Sequence, residues 1–316
     1  MIVSNNYTER KKLVIGTHNG IFHADEVVAI SILNLLYNGY KDICVIRSRN
    51  LEMLKQNCNI LVDIGGGAFD HHQKGGNGTR ENGVKYASSG LVWKEFGKNL
   101  IHKLDTSINE EDINRIWNII DCQIIQEVDM EDNGQGLNVH PFNYIANFLP
   151  KWNEDYKNYD KKFEECATIT SSILENEIRK TISDILSEKY MKEQLENLDG
   201  NVLEIPGQTF PWLQLVTNAN EEGSNIDFVM FKYPAGGYAV QCVPKSYNDK
   251  FSQRIPFPEE WAGQTDDLPR ISGIKSAILC HNGRFFARSA EKEDVIKMCE
   301  IATQKHKENI SKQYKS

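Results

Sequence analysis

Apolar residues are distributed along the chain in two rhythms. Short, mainly apolar runs at 13–15, 43–46 and 60–64 predict buried strands, the first ending in Gly16-Thr17-His18 and the last in Gly65-Gly66-Gly67. Between the first two lies 25–36, with Val27, Val28, Ile30, Ile32, Leu33, Leu35 and Leu36. This segment predicts a well-buried helix closed by Asn38-Gly39. Ser88 or Ser89 can cap a helix running through Trp93 to Phe96. Ile113, Ile116, Trp117, Ile120, Ile124 and Ile125 fall at helical spacing and predict a helix over 109 to about 129. A further helical region follows Pro150, over roughly 161–198. Strands that alternate with helices predict βαβ units and a parallel sheet.

After Gly200 the rhythm changes to short β-rich runs at 202–205, 212–216, 228–233, 238–243 and 277–287. The last is split by Asn282-Gly283, a hairpin signal, and a final helix is predicted over 292–305. The expected organisation is α/β: a parallel-sheet domain over 1–150, a helical connector over 151–199 and a smaller α+β domain over 200–316. No internal repeat or low-complexity tract interrupts it.

Length and composition agree with this picture. A chain of 316 residues is long for one domain and comfortable for two, and 40% hydrophobic with 25% charged residues is ordinary for a globular protein. The net charge of -8 argues against a nonspecific coat on duplex DNA. It leaves room for a small phosphorylated substrate, or for one strand entering a metal-lined cleft. Seven cysteines, an odd number with no C-x-x-C pair, argue against a disulfide framework and for a reducing compartment. No apolar stretch has the length of a membrane span and no secretory h-region is visible near the start. The expectation is a protein without membrane association, cytoplasmic by default, with a nuclear or mitochondrial address left open.

The candidate chemistry is concentrated early. His18, His23, His71 and His72 are four of the eight histidines, and Asp25, Asp63 and Asp70 stand among them. They occur in three contexts. Residues 16–26 follow the first strand and open the next helix; 62–66 end a later strand; Asp70-His71-His72-Gln73 comes a few residues on. Ligands bind at the carboxyl ends of parallel strands, and a helix N-terminus there favours anionic phosphate. A mixed imidazole and carboxylate set suits a borderline divalent ion: Mn²⁺ fits well, with Zn²⁺, Co²⁺ or Fe²⁺ open, and an all-oxygen Mg²⁺ site fits less well. Two such ions clamp a phosphoryl group and lower the pKa of a bound water. Such a pair needs a bridging carboxylate, and Asp63 is placed to be one. Glu26 reads as a first-turn partner of the helix dipole, and Asp70 as a group that orients a histidine. His102, His140 and His306 read as surface or structural.

His18 through Glu26, Val62-Asp63-Ile64-Gly65-Gly66, Asp70-His71-His72-Gln73 and Ser88-Ser89-Gly90-Leu91-Val92 resemble, in order, the motifs of the Myg (melanocyte-proliferating-gene-like) family, relatives of the DHH phosphoesterases. Val128-Asp129-Met130-Glu131-Asp132-Asn133-Gly134 resembles that family's fourth motif. Pro211-Trp212, Val243-Pro244, 251–254, 258–263 and Gly273-Ile274 extend the resemblance through the second half. It implies a DHH-like metal domain with His18, His23 and Asp25 in the first motif. His23 stands where relatives have aspartate, and the His18 spacing is one residue longer. Asp63 would bridge two metals, and His71 would bind the second. His72 would face the scissile phosphate, and Asp129 or Asp132 would complete the second metal. The implied activity is that of a 3′-to-5′ exoribonuclease or oligonucleotide phosphodiesterase, with RNA or a short oligonucleotide as partner. Hydrolysis of a cyclic dinucleotide or pyrophosphate, and a non-catalytic metal-stabilised regulatory protein, are the alternatives. Arg254, Arg270, His281 and Arg284 of the second domain are candidates to grip substrate, since the arginine fork matches phosphate. The hairpin bearing His281 is expected to face the metal site across an interdomain cleft. Ser88 and Ser89 divide between helix cap and phosphate contact. A homodimer is left open.

Overall fold

A computed structural model describes residues 2–4, 13–37, 43–136, 142, 144, 148–155 and 158–313; Asn38-Gly39 and His140 lie outside them. The chain divides into two compact units, Met1–Ile182 and Ser183–Ser316.

The first unit is α/β. Its sheet is fully parallel, in the order β1 (Ile2–Ser4), β3 (Ile43–Arg47), β2 (Leu13–Thr17), β4 (Ile60–Leu61). Val14 aligns with Cys44 and Ile15 with Val45, so two apolar strands pair at the centre. Gly16 lets β4 approach β2: a Cβ there would lie 2.7 Å from Leu61 Cδ2 and 2.8 Å from Cys58 Sγ. The strand expected over 60–64 is shorter than its apolar run. The ladder stops at Leu61, because Asp63 adopts a positive φ of 57° that turns the chain out of the sheet.

Helix α1 (Ala24–Tyr37) joins β2 to β3 and is buried on nearly every face, as a helix apolar all round must be. It packs on α3 (Ser88–Leu104) and α5 (Gln126–Asp132), and its Ser31 hydroxyl donates to the Ala167 carbonyl of α6 (Tyr159–Glu196). The short α2 (Leu51–Asn57) is capped by Asn50, whose side chain accepts from the Met53 N–H. The N-cap of α3 is Ala87 rather than either serine, and the serine side chains turn inward. The helix expected over 109–129 is α4 (Glu110–Ile120) running into α5 through a π-helical turn at Asp121–Ile125. Such turns widen a helix by one residue and are frequent at functional sites.

The second unit holds a five-stranded sheet, β5 (Val202–Glu204), β6 (Phe228–Lys232), β7 (Tyr238–Cys242), β9 (Phe286–Ser289), β8 (Ala277–Cys280). Only β5 and β6 pair in parallel. Alternation along β6 sends Phe228 and Met230 to one apolar cluster and Val229 and Phe231 to another. The first cluster is closed by Val295, Met298 and Cys299 of α9 (Lys292–Gln313), the second by Val216 and Ala219 of α7 (Trp212–Glu221). The 212–216 segment is therefore helical, contrary to its strand-like reading. Short apolar runs do not distinguish strand from helix by periodicity, and here the i, i+3, i+4 and i+7 face of Trp212, Leu215, Val216 and Ala219 finds a sheet to cover. The hairpin at 277–289 forms, with the small helix α8 (Leu268–Ser272) before it. Among the described residues no helix is long and apolar enough to cross a membrane.

Candidate metal centre

Three chain segments deliver the site. His18 follows the last residue of β2, and Asp25 and Glu26 lie in the first turn of α1. Asp63 leaves β4, followed by the loop carrying Asp70, His71 and His72, and Asp132 ends α5. Asp63 is central. Its Oδ2 lies 3.2 Å from His18 Nε2, and its Oδ1 lies 3.4 Å from His71 Nε2 and 3.2 Å from His72 Nδ1. His18 Nε2 is also 3.2 Å from Glu26 Oε1. His71 Nε2 is 3.0 Å from Asp132 Oδ2 and 3.9 Å from Asp25 Oδ2. His23 Nδ1 stands 3.8 Å from Asp132 Oδ1. Three candidate ligand groups result, the first two sharing Asp63: His18, Glu26 and Asp63; Asp63, His71 and His72; His23, Asp25 and Asp132, each with its donor atoms within 4.8 Å of one another.

A further layer of contacts fixes these carboxylates. The Ser88 hydroxyl donates to Asp63 Oδ1 at 2.9 Å, and the Ser88 N–H points at Asp25 Oδ2. Glu26 accepts from the His23 N–H at 2.8 Å. Asp70 accepts from the N–H groups of Gly66 and His72, and its Oδ1 lies 3.1 Å from His72 Nδ1. The left-handed backbone of Asp63 is itself a strained feature for a residue other than glycine, of a kind that gathers at functional sites.

Of the two aspartates left open in the fourth motif, Asp132 reaches the cluster and Asp129 does not. Asp129 accepts from the Ser89 hydroxyl, the Gly90 N–H at 2.9 Å and Arg80 Nη1 at 2.8 Å. Arg80 makes two more bonds, of 2.9 and 2.8 Å, to Asp121 at the start of the π-helical turn. Its guanidinium also lies over the Tyr86 ring. Ser88 and Ser89 are fully buried and hold carboxylates, which leaves them no surface for a substrate phosphate. The remaining candidates belong to the second unit. Arg254 pairs with Asp227 at 2.9 Å, Arg270 with Asp267 at 3.2 Å, and His281 Nδ1 accepts from the Gly283 N–H. Arg284 has a φ of 56° and turns Nη1 toward the Phe257 carbonyl.

The electrostatics follow from burial and proximity. Burial opposes charge on His18, but Asp63 and Glu26 outweigh it and raise the imidazole to about 10. His71 is likewise raised to about 10 by Asp132 and Asp63 against its burial. Asp63 is buried too, yet His18, His71, His72 and Ser88 hold it below the usual carboxylate range. Asp25 goes well above that range, through burial and then the neighbouring Asp63, Asp132 and Glu26. Burial lifts Asp129 to about 6, opposed by Arg80, Ser89 and Gly90.

These protons occupy the place of a cation. Asp25 Oδ1, Glu26 Oε1, Asp63 Oδ2 and His71 Nε2 are buried without an aligned hydrogen-bond partner. Glu26 Oε1 and Asp63 Oδ2 share one imidazole nitrogen, His18 Nε2, and Asp25, Asp63 and Asp132 share another, His71 Nε2, so the buried acids outnumber the donors that face them, and buried polar atoms of that kind call for a ligand. Imidazole nitrogen mixed with carboxylate oxygen suits Mn²⁺, Zn²⁺, Co²⁺ or Fe²⁺. The residues present therefore fit divalent metal.

Two cavities open on the cluster. One of about 480 Å³ is lined by His23, Ala24, His71, His72, Val128, Glu131 and Asp132. The other, of about 410 Å³, is lined by His18, Ile21, His23, Arg49, Asp63, Ile64, Gly65, Asp70 and His72. His23 and His72 line both, and their side chains are 55% and 61% exposed, whereas His18 and Asp63 are 10% and 1%. The cluster is thus a buried carboxylate base with two histidines at its mouth. Sequence reasoning missed Glu26 as a cluster member, because an acid in a first helical turn has an ordinary explanation. It also missed Arg80 and Arg49, lone arginines in loops that carry no pattern.

The MYG1_exonuc family model (uncharacterised protein family UPF0160) matches residues 14–303. The MYG1 exonuclease of Homo sapiens is 27% identical over 323 residues, covering 90% of this chain and 84% of that protein. MYG1 protein C694.04c of Schizosaccharomyces pombe is 28% identical over 318 residues, with 91% and 96% covered. The MYG1 protein of Dictyostelium discoideum is 29% identical over 320 residues, with 90% and 95% covered. Among solved structures, RecJ from Thermus thermophilus in complex with Mn²⁺ aligns with 92% of this chain at 13% identity and a TM-score of 0.26; the match spans 52% of the RecJ chain.

Proposed function

The chain belongs to the MYG1 (UPF0160) family, and from that premise we propose that it is a divalent-metal-dependent phosphodiesterase that shortens RNA or short oligonucleotides from the 3′ end. The observation that carries the reading is the convergence of His18, His71 and His72 on Asp63, among buried carboxylates that outnumber the imidazole donors facing them. A structural ion-pair cluster would match each carboxylate with its own donor; here Glu26 and Asp63 share one imidazole nitrogen, and Asp25, Asp63 and Asp132 share another. The relatives' name, exonuclease, supports the substrate class.

In this reading Asp63, with His18 and Glu26 beside it and with His71, Asp132, Asp25 and His23 beyond, would hold divalent metal, two Mn²⁺ ions by preference. Bound divalent ions supply Lewis-acid stabilisation of phosphoryl oxygen and water acidified to near-neutral pKa. The chain's own residues do the rest. His72 lies at the mouth of the cluster with Nδ1 against Asp70, which leaves Nε2 to hand a proton to the leaving oxygen. Asp70 is itself fixed by two backbone N–H groups, so the ring is oriented before substrate arrives. Ser88 keeps the Asp63 carboxylate from rotating. Arg254, His281 and Arg284 of the second unit are proposed to grip the polynucleotide.

The test is metal-stripped protein assayed on 5′-labelled single-stranded RNA, a dinucleotide and pyrophosphate. Mn²⁺, Mg²⁺ or Zn²⁺ is restored, and a His71→Ala/His72→Ala double variant is the control. Stepwise, Mn²⁺-dependent shortening of RNA that disappears in the control is the expected result. Cleavage of pyrophosphate alone would move the activity to small phosphoanhydrides. No turnover with metal bound would remove the enzymatic reading.

A further inference from the structure

The two cavities differ in charge. The one lined by Glu131 and Asp132 has no lysine or arginine in its wall, whereas the other sets Arg49 beside Asp63 and Asp70, with Ile21 and Ile64 as apolar wall. Both meet at His23 and His72. A substrate whose scissile phosphate lies against His72 must therefore extend one way past Glu131 and Asp132, where the wall has no lysine or arginine, or the other way past a wall that has one in Arg49.

Arg49 is placed for the second path. It lies two residues beyond the end of β3, on the strand-end rim where His18 and Asp63 also emerge. Its backbone is pinned on both sides: the Ser48 N–H donates to the Thr17 carbonyl at 2.9 Å, and Asn50 caps α2. Its side chain is exposed and forms no ion pair among the described residues. This contrasts with Arg47, two positions earlier, which is buried, bonded to Asp160 and stacked on Phe163. Asp63 and Asp70 of the same wall are engaged by His18, His71, Ser88 and backbone N–H groups, and the Arg49 guanidinium, in no ion pair among the described residues, keeps its five donors for an anion.

We infer that Arg49 forms a second phosphate subsite. It binds the phosphate one nucleotide removed from the scissile bond, so that the preferred ligand carries two neighbouring phosphates rather than one. The inference rests on the phosphoesterase reading above. It goes further in assigning a direction to the bound chain: phosphate toward Arg49, and an uncharged or cationic portion toward Glu131 and Asp132.

The test is equilibrium binding in the presence of Mn²⁺ to diuridylate with a non-hydrolysable methylenephosphonate linkage. Three forms are compared: no terminal phosphate, a 5′-terminal phosphate and a 3′-terminal phosphate. One terminal phosphate is expected to tighten binding by about tenfold to a hundredfold in the wild type, the range of a charge-assisted pair. That ratio is expected to fall close to one in Arg49→Gln and to recover in part in Arg49→Lys, which restores charge without the fork. Equal binding of all three forms to the wild type, no binding of any, or a ratio that survives Arg49→Gln would overturn the subsite. Cleavage of ordinary diuridylate, followed in parallel, separates the two readings. An Arg49-dependent ratio without cleavage keeps the subsite and removes the phosphoesterase, whereas cleavage without a ratio does the reverse.

Discussion

At the scale of single residues, Asp63 carries most of the charge that organises the site, and its backbone is bent to do so. Asp63→Asn is the sharpest substitution available, because asparagine tolerates the left-handed conformation as aspartate does and keeps the side-chain size. The variant should fold while losing at least about a hundredfold in Mn²⁺ affinity and in any turnover, since even residues outside the ligand set cost about 10–100-fold. Metal titration alongside circular dichroism checks both halves, and unchanged affinity would remove Asp63 from the ligand set. The pH dependence follows from the same contacts. His18 and His71 are raised on folding from 6.5 to about 10. In metal-free protein their stabilising contribution is complete below about pH 6.5 and is lost as pH rises through about 10. Asp63 is shifted down, so its contribution is present above the ordinary carboxylate range and lost as pH falls through its folded value. Between these windows the metal-free cluster is held by protons that a metal must displace. Metal uptake near neutral pH should therefore release at least about two protons, one from each imidazole, with any proton held by the raised Asp25 carboxyl in addition. Calorimetric titration in two buffers of different ionisation enthalpy reads this directly, and identical heats in both would contradict it. Much of the clustering was legible in the sequence, because most of the candidate ligands sit in short contiguous motifs at strand ends. Glu26 was hidden by a competing explanation, and the choice between Asp129 and Asp132 needed the direction in which α5 presents each side chain.

At the scale of elements, the site depends on α3 and α5 staying in register. Asp129 fastens them: it takes bonds from Ser89 and Gly90 at the start of α3 and from Arg80 in the preceding loop. Gly90 is required there, because a Cβ would fall on the Asp129 carboxylate. Arg80 ties the same point to Asp121, where the helix widens into its π turn before α5 delivers Asp132. Arg80→Met would leave two buried carboxylates without their cation and should cost about 3–5 kcal/mol of stability. Denaturant unfolding measures that loss, and a change below about 1 kcal/mol would show that Arg80 is not a structural anchor. Arg80→Lys should recover part of it, as the charge returns without the fork that engages Asp121 twice. None of this network was visible in the sequence, since its members lie up to 49 positions apart and share no motif. The regular elements were more legible. The parallel strands read at 13–15 and 43–46, α1, the long helix after Pro150 and the hairpin read over 277–287 follow from apolar spacing and turn residues, whereas β1 carries no such signal. Where the pattern misled, at 212–216, five residues of mixed apolar character allowed either period, and the sheet face beneath α7 decided between them.

At the scale of the whole molecule, every candidate metal ligand, from His18 to Asp132, belongs to the first compact unit, Met1–Ile182. A ligand stabilises only the part of a structure that must unfold to release it, by RT ln(1 + [L]/Kd), about 4 kcal/mol at a thousandfold excess over Kd. Mn²⁺ should therefore slow hydrogen exchange strongly in peptides from α1, α3 and α5. It should leave β6, β7 and β9 of the second unit near their metal-free rates. The element that complicates this expectation is α6, whose Tyr159–Glu196 span begins in one unit and ends in the other. Its Phe163 and Cys166 are core residues of the first unit, and Met191 packs into a core of the second. If α6 unfolds in segments, protection should fade along it from Phe163 toward Met191. Equal protection in both units would mean instead that α6 transmits stability along its length and that the chain unfolds as one body. Exchange mass spectrometry with and without Mn²⁺ distinguishes the two outcomes from the peptides of this one helix.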